Sequence, residues 1–166
     1  MKILHIIGQF NAGGAETLVK DLAIELAKNQ NQVEVWALVN SDDKLFERSY
    51  REELMKYGVV TRNLGKRRGK DQLKIIYNIY KNIKEYNPDI INTHLEMISF
   101  YVIIANMLIG KNIIQTIHNT VIDHPYIQKY FAKIFCKKFI SISGNTSKVL
   151  INQVGISESQ IKLILN

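Results

Sequence analysis

A pair of glycines, Gly13 and Gly14, stands where an apolar run gives way to a helical pattern. Residues 3–7 are apolar or β-branched apart from one histidine, which is typical of a strand covered on both faces. From Ala15 onward apolar residues recur at intervals of three and four, which predicts a helix. Free N–H groups and the positive end of a helix dipole favour an anion at such a junction, and a missing Cβ lets a ligand approach. The pair therefore predicts a phosphate-binding turn.

A purely structural explanation of the same residues competes with this prediction. Strand-to-helix turns commonly use glycine, and Glu16 follows Gly13 by three residues, the spacing of a capping box. Glu16 is therefore predicted either to contact substrate or to cap its helix, and the sequence leaves both roles open.

Two histidines, His94 and His118, are predicted at the carboxyl ends of strands. Histidine there can donate to a sugar hydroxyl or a phosphate, or act as an acid or base, because its pKa lies near neutrality. The alternative for each is a hydrogen-bonded histidine that tethers a loop. His5 lies inside the first strand and is predicted to be a core histidine bonded to backbone, and His124 is predicted to be solvated in a long loop.

Strand and helix patterns alternate along the whole chain. The predicted strands are 2–8, 32–39, 59–64, 89–94, 112–118, 138–142 and 161–165, and the predicted helices are 14–29, 44–57, 71–86, 97–109, 126–136 and 145–153. The third helix is predicted to bury Leu73, Ile76, Tyr77, Ile79, Tyr80 and Ile83. This order indicates an α/β fold, a Rossmann-like doubly wound parallel sheet of about seven strands with helices on both faces. Ligands of such sheets bind beyond the carboxyl ends of the strands, so the loops after strands one, four and five should face one crevice.

Composition is that of a globular protein and narrows the classes of function. The 166 residues are 46% hydrophobic and 22% charged, which fits a single domain. A lone cysteine, Cys136, excludes an internal disulfide, and no Cys/His spacing suggests a metal site. The start of the chain lacks a signal-peptide core, and the apolar run 97–109 is shorter than the roughly twenty residues that span a bilayer. We expect a cytoplasmic protein in which that run is a buried helix.

The net charge of +7 includes one local concentration of cations. Its members are Lys66, Arg67, Arg68 and Lys70. Such a cluster can contact a phosphorylated acceptor or the anionic inner face of the plasma membrane, or it can be a solvated loop. Nucleic acid is not expected as a partner, because no stacking aromatics accompany the cations.

Six short motifs occur in an order that resembles a known family. They are KILHI at 2–6, GGAE at 13–16, PDII at 88–91 leading to His94, TIH at 116–118, ISIS at 140–143 and IKLILN at 161–166. Together they cover essentially the whole chain and resemble the N-terminal half of the family-4 retaining glycosyltransferases, which have the two-domain GT-B architecture.

The resemblance implies a role for each candidate residue. Gly13 and Gly14 would lie near the donor phosphates, His118 would be catalytic near the donor sugar, and His94 would line the floor of the cleft. Asn119 stands where family members often have aspartate, and we predict that it binds substrate without carrying charge.

The resemblance also implies partners. Residues 1–166 would form a single N-terminal domain, and a C-terminal donor-binding domain would be absent from this chain, so that the fragment itself would be inactive. The donor would be a nucleotide-sugar such as a UDP- or GDP-sugar, and the acceptor a polysaccharide, a glycolipid or another hydroxyl compound. No cofactor is implied.

Two other functions stay open. A non-catalytic binding or regulatory module could use the same sheet. An NAD(P)-dependent domain is less favoured, because the glycines do not have the GxGxxG spacing and the second predicted strand ends in Val39-Asn40 without an acidic ribose ligand.

Overall fold

Seven parallel strands form one sheet in the computed structural model, which describes residues 1–67, 69–119 and 121–165. The strands are β1 Lys2–Ile7, β2 Gln32–Ala37, β3 Val60–Asn63, β4 Ile90–Thr93, β5 Asn112–Ile117, β6 Cys136–Ser141 and β7 Ile161–Leu163. Their order across the sheet is β3-β2-β1-β4-β5-β6-β7, and every neighbouring pair is parallel. The predicted fold class is therefore confirmed.

Helices connect consecutive strands. They are α1 Gly14–Lys28, α2 Lys44–Lys56, α3 Gln72–Tyr86, α4 Glu96–Asn106, α5 over 125–135 and α6 over 144–154, and a 3₁₀ turn at Glu158–Gln160 precedes β7. The middle of α5, Gln128–Ala132, and the end of α6, Leu150–Val154, are π-helical. Among the described residues no helix is both long and apolar enough to cross a bilayer.

Each face of the sheet has its own core, because successive side chains of a strand point to opposite faces. Ile3 and Ile7 of β1 pack with α1 and α2, whereas Leu4 and Ile6 pack with the cluster formed by α3, α4, α5 and α6. The central strand is thus buried on both faces, which explains its nearly continuous apolar sequence.

Helix α3 buries part of the predicted set. Ile79 and Ile83 are buried, and Ile76 and Tyr80 pack partly buried against the core. Its buried residues are Ile75, Ile79 and Ile83, while Leu73 and Tyr77 are 83% and 62% exposed. The apolar residues of this segment cover more than one helical stripe, and isoleucines four residues apart form the stripe that meets the sheet.

Helix α4 is shorter than predicted. It ends at Asn106, whose side chain donates to the Lys111 carbonyl and accepts from the Lys111 N–H at 2.9 and 3.0 Å. These two bonds close the turn after the helix, and Met107 and Leu108 are left 59% and 87% exposed. The prediction that a buried helix continues to residue 109 was therefore wrong for residues 107–109.

Candidate functional site

Three histidines from three neighbouring strands form a continuous hydrogen-bonded row. His5 Nδ1 lies 3.1 Å from His94 Nε2, and His94 Nδ1 lies 3.1 Å from His118 Nε2. His5 is inside β1, and the other two follow β4 and β5 directly. His5 and His94 are 1% and 3% exposed, and His118 is half-buried. The row therefore leads from the interior of the sheet to its carboxyl edge.

Strand register explains why the three rings meet. His5 is paired with Asn92, and Asn92 with Ile114. Side chains two residues apart on a strand share a face, so His94, two residues beyond Asn92, and His118, four beyond Ile114, lie on the face of His5. The structure thus brings together the two strand-end histidines that the sequence placed at one edge.

The expectation for His5 was wrong in one respect. It is a core histidine, but its partner is His94, and not backbone. Pairing of β1 with β4 creates this contact, and the sequence order alone does not show which strand lies beside β1. Both ring nitrogens of His94 bond to histidines, and its place in the floor of the cleft stays a prediction.

The first turn of α1 lies on the same face and edge as the histidines. Ile3 and Ile7 share the face of His5 and pack against Val19 and Ala23 of α1, and α1 begins directly after the loop that leaves the carboxyl end of β1. The first backbone bond of the helix runs from the Thr17 N–H to the Gly13 carbonyl at 3.0 Å. The preceding N–H groups have no partner within the helix and can receive an anion.

The fold itself does not require glycine at either position of the pair. Gly13 has an extended backbone, with φ of −174°, and neither glycine has a positive φ. A Cβ at Gly14 would meet nothing within 4 Å, and one at Gly13 would meet only the Glu16 carboxylate. Both glycines are exposed. The missing side chain of Gly14 therefore leaves open space at the helix terminus, whereas the Glu16 carboxylate takes the place of a side chain at Gly13.

Glu16 keeps its carboxylate at this terminus. The group folds back against Gly13, and a negative charge in the first turn is favourable for the helix dipole. The backbone carbonyl of Glu16 accepts a 2.7 Å bond from the Tyr50 hydroxyl, which ties α1 to α2. The carboxylate therefore takes up part of the space in which a phosphate would bind.

Side chains that the sequence did not single out hold the loop between β1 and α1. Gln9 donates to the Asn40 carbonyl at 2.9 Å and accepts from Asn11 at 3.2 Å, and Ser41 donates to Asn11. Phe10 is fully buried. Phe10 is the one large apolar residue among polar and small ones in this loop, and that pattern could have predicted its burial.

The basic cluster is partly neutralised within the chain. The Arg67 guanidinium donates two bonds to Asp71, at 2.5 and 2.8 Å, which holds the pKa of that carboxyl below its usual value. Lys66 Nζ lies 5.5 Å from the centre of the Tyr101 ring, and Lys70 is exposed. Arg68 lies outside the described residues. Asn119 follows His118 directly and is exposed.

Burial keeps the three histidines uncharged near neutral pH. It lowers the pKa of His5 to about 4 and lowers that of His118. Burial is also the main reason why the pKa of His94 lies well below its usual value, and the neighbouring histidines lower it further. The row can therefore donate and accept hydrogen bonds, but it does not bind anions through positive charge.

Acid is expected to destabilise this chain through His5. In the unfolded chain His5 binds a proton as the pH falls through about 6.5, whereas in the folded chain it does so only near 4. Between these values the unfolded state binds more protons, so the free energy of unfolding decreases as the pH falls, by about 3 kcal/mol in total. Urea titrations at pH 7 and pH 4 measure this change.

Two variants separate this effect from other titrations. His5→Leu should show a smaller loss of stability between pH 7 and pH 4 than the wild type, and His124→Gln, at an exposed position, should show the same loss. An equal pH dependence in His5→Leu and the wild type would refute the assignment to His5.

Comparison with known proteins identifies similar sequences and folds. Residues 12–166 match the family model described as Glycosyltransferase Family 4. No curated protein matches the chain.

Three solved structures illustrate the likeness of fold. The Anabaena protein Alr3699/HepE, crystallised with UDP and glucose, is 18% identical with a TM-score of 0.79, and the match covers 100% of this chain and 44% of that chain. A glycosyltransferase from Rickettsia africae ESF-5 is 16% identical with a TM-score of 0.75, and the match covers 99% of this chain and 42% of that chain. The lipopolysaccharide outer core galactosyltransferase WaaB is 19% identical with a TM-score of 0.70, and the match covers 100% of this chain and 46% of that chain. The chain thus spans less than half the length of these proteins.

Proposed function

The chain belongs to glycosyltransferase family 4, and from that premise we propose that it is the N-terminal half of an enzyme that transfers a sugar from a nucleotide-sugar to a hydroxyl acceptor. The observation that carries the proposal is the position of His118 on the face and edge where the free N-terminus of α1 lies. A helix N-terminus that can bind an anion, on the same face and edge of the sheet as a neutral histidine, suits a donor that contains both a diphosphate and a sugar.

Each half of that site has a role in the proposed reaction. The N–H groups that precede Thr17 stabilise negative charge as it develops on the departing nucleoside diphosphate, and His118 binds the donor sugar. With retention at the anomeric carbon, the leaving phosphate helps to deprotonate the acceptor from the same face, and this domain needs no nucleophile. Alr3699/HepE has been crystallised with UDP-glucose, and we propose that the donor here is a UDP- or GDP-sugar.

The acceptor is proposed to be a glycan or a lipid-linked molecule, bound mainly by this half. A C-terminal domain would complete the donor site, and this half alone would catalyse little. Reading the coding frame beyond codon 166 tests this arrangement. We expect on the order of 150 to 200 further codons with a second alternating α/β pattern. An immediate stop codon would instead favour a stand-alone binding module.

Release of nucleoside diphosphate tests the activity. The full-length protein is incubated with UDP- and GDP-sugars, with and without extracts that contain candidate lipid-linked acceptors. We expect release from one nucleotide class, faster with acceptor. No release from any donor under any condition would contradict the proposed function.

We further propose that the protein works in the cytoplasm at the inner face of the plasma membrane. Besides the cluster at Lys66, Arg67, Arg68 and Lys70, α5 supports this proposal. Tyr126, Tyr130 and Ile134, four residues apart, are 76%, 55% and 70% exposed. Lys129 and Lys133 of the same helix are exposed, and so is Lys137 at the start of β6. Residues 97–157 contain six lysines and one acidic residue, Asp123. Apolar rings beside lysines suit an anionic bilayer surface.

Neutralising Lys129, Lys133 and Lys137 is expected to weaken membrane binding. The triple change Lys129→Gln, Lys133→Gln and Lys137→Gln should lower partition onto vesicles containing 30% phosphatidylglycerol by at least about tenfold, because each lysine near such a surface contributes about 1 kcal/mol. Sedimentation with vesicles measures the partition.

Exposed lysines of the other helices give a matched control. Lys28→Gln, Lys56→Gln and Lys81→Gln together remove the same charge from α1, α2 and α3 and should have a smaller effect. A third variant with Lys66, Arg67 and Lys70 neutralised measures the basic cluster. Binding that is insensitive to salt and to all three variants would refute the membrane proposal.

A further inference from the structure

The row of histidines has a direction, because each of its links needs one donor and one acceptor. A neutral imidazole carries a single N–H. His94 bonds to His5 through Nε2 and to His118 through Nδ1, so it donates to one neighbour and accepts from the other. The two hydrogen bonds must therefore point the same way, either from His5 toward His118 or from His118 toward His5.

The inner end of the row favours one direction. His5 Nε2 is buried and has no partner among the described residues, and it lies on the face occupied by the Ile3 and Ile7 core. Bonds that point inward would place a proton on this atom and bury an N–H with no acceptor. Bonds that point outward leave only an unshared acceptor there. Orphaned buried N–H groups are rarer in proteins than under-satisfied acceptors.

We propose that the hydrogen bonds run outward, so that His5 and His94 are positioning residues that hold His118 as the tautomer protonated on Nδ1. His118 Nε2 accepts from His94, and Nδ1 has no bond to another described residue. The half-buried ring thus presents an N–H at the carboxyl edge of the sheet. This inference rests on the proposed function for its ligand, which is an oxygen acceptor on the nucleotide-sugar, either a sugar hydroxyl or a phosphate oxygen.

The outward direction assigns a specific chemical role to His118. A ring that presents Nδ1–H binds the donor by hydrogen bonding, and the lone pair that a general base would need is already used on His94. The opposite direction would present a bare Nδ1 that can take a proton from the acceptor. The direction of two buried bonds therefore separates a binding group from a base.

The tautomer is measured by ¹⁵N NMR of the imidazole rings in the full-length protein at pH 7. We expect the His118 Nδ1 resonance in the range of a protonated nitrogen and Nε2 in the range of a bare one, with the same pattern for His5 and His94. The reverse pattern would overturn the proposal, and so would an average of both tautomers. This measurement uses the wild-type protein and needs no variant.

Two substitutions of His118 test its consequence. The side-chain nitrogen of asparagine can replace Nδ1, and that of glutamine can replace Nε2. His118→Asn should therefore keep kcat/KM for transfer within about tenfold of the wild type, and His118→Gln should lower it by at least about 100-fold. Equal losses in the two variants, or a smaller loss in His118→Gln, would overturn the assigned role of Nδ1–H.

A failure of the tautomer proposal can be distinguished from a failure of the proposed function. A full-length protein that transfers no sugar from any donor contradicts the proposed function, while the tautomer measured by NMR still stands or falls without turnover. The oxygen that His118 contacts is distinguished by comparing UDP with UDP-glucose, or GDP with GDP-mannose. A shift of the Nδ1 resonance with the nucleotide alone indicates phosphate, and a shift only with the nucleotide-sugar indicates a sugar hydroxyl.

Discussion

His118→Ala is expected to lower kcat for sugar transfer by the full-length protein by roughly 100- to 1000-fold. The ring is the half-buried outer end of the histidine row, and its Nδ1 has no bond to another described residue. Removing it takes away the hydrogen bond to the donor and leaves a space that water can fill. Steady-state kinetics with the donor identified by nucleotide release measure the loss.

Stability and a second histidine provide the controls for this variant. Water can replace the bond to His94 Nδ1, so the free energy of unfolding should change by no more than about 1 kcal/mol. His124→Ala removes an exposed histidine six residues away in the chain and should leave kcat unchanged. Unchanged turnover in His118→Ala would refute the catalytic assignment.

Gly14→Asp is expected to have opposite effects on donor binding and on stability. A carboxylate at the first residue of α1 interacts favourably with the helix dipole, by a few tenths of a kcal/mol at this exposed site, and a Cβ there meets nothing within 4 Å. The same charge would occupy the proposed anion site and repel a diphosphate. The Kd for the donor should therefore rise at least tenfold, and the free energy of unfolding should stay the same or increase slightly.

Gly14→Ala is the matched control, because it adds the Cβ without charge. Calorimetric titration with donor measures Kd, and thermal unfolding without donor measures stability. A smaller rise of Kd in Gly14→Ala than in Gly14→Asp would show that charge repulsion, and not the added Cβ, weakens donor binding. A Kd in Gly14→Asp equal to that of the wild type would show that the diphosphate binds elsewhere.

The fold was predictable because parallel strands leave a clear pattern. β1 was predicted over 2–8 and spans Lys2–Ile7, since a strand buried on both faces is continuously apolar. The end of α5 was less predictable. The strand expected at 138–142 begins at Cys136, because the apolar residues of 131–136 suit a helix or a strand and only the packing decides between them.

The candidate site was predictable where it depends on strand ends, and less so where it depends on pairing. His94 and His118 follow strands that the pattern revealed, so their common edge could be expected. The contact of His5 with His94 requires β4 beside β1 and a register that pairs His5 with Asn92. The bond between Arg67 and Asp71 likewise arises from loop geometry, and charge counting did not reveal it.

A crystal structure of the full-length protein bound to its nucleotide-sugar tests the central claim most directly. The account predicts diphosphate oxygens within hydrogen-bonding distance of the N–H groups of Gly14 or Ala15, and His118 Nδ1 within about 3.2 Å of a donor oxygen. A nucleotide-sugar bound without contact to residues 13–16, with His118 turned away from it, would contradict the account.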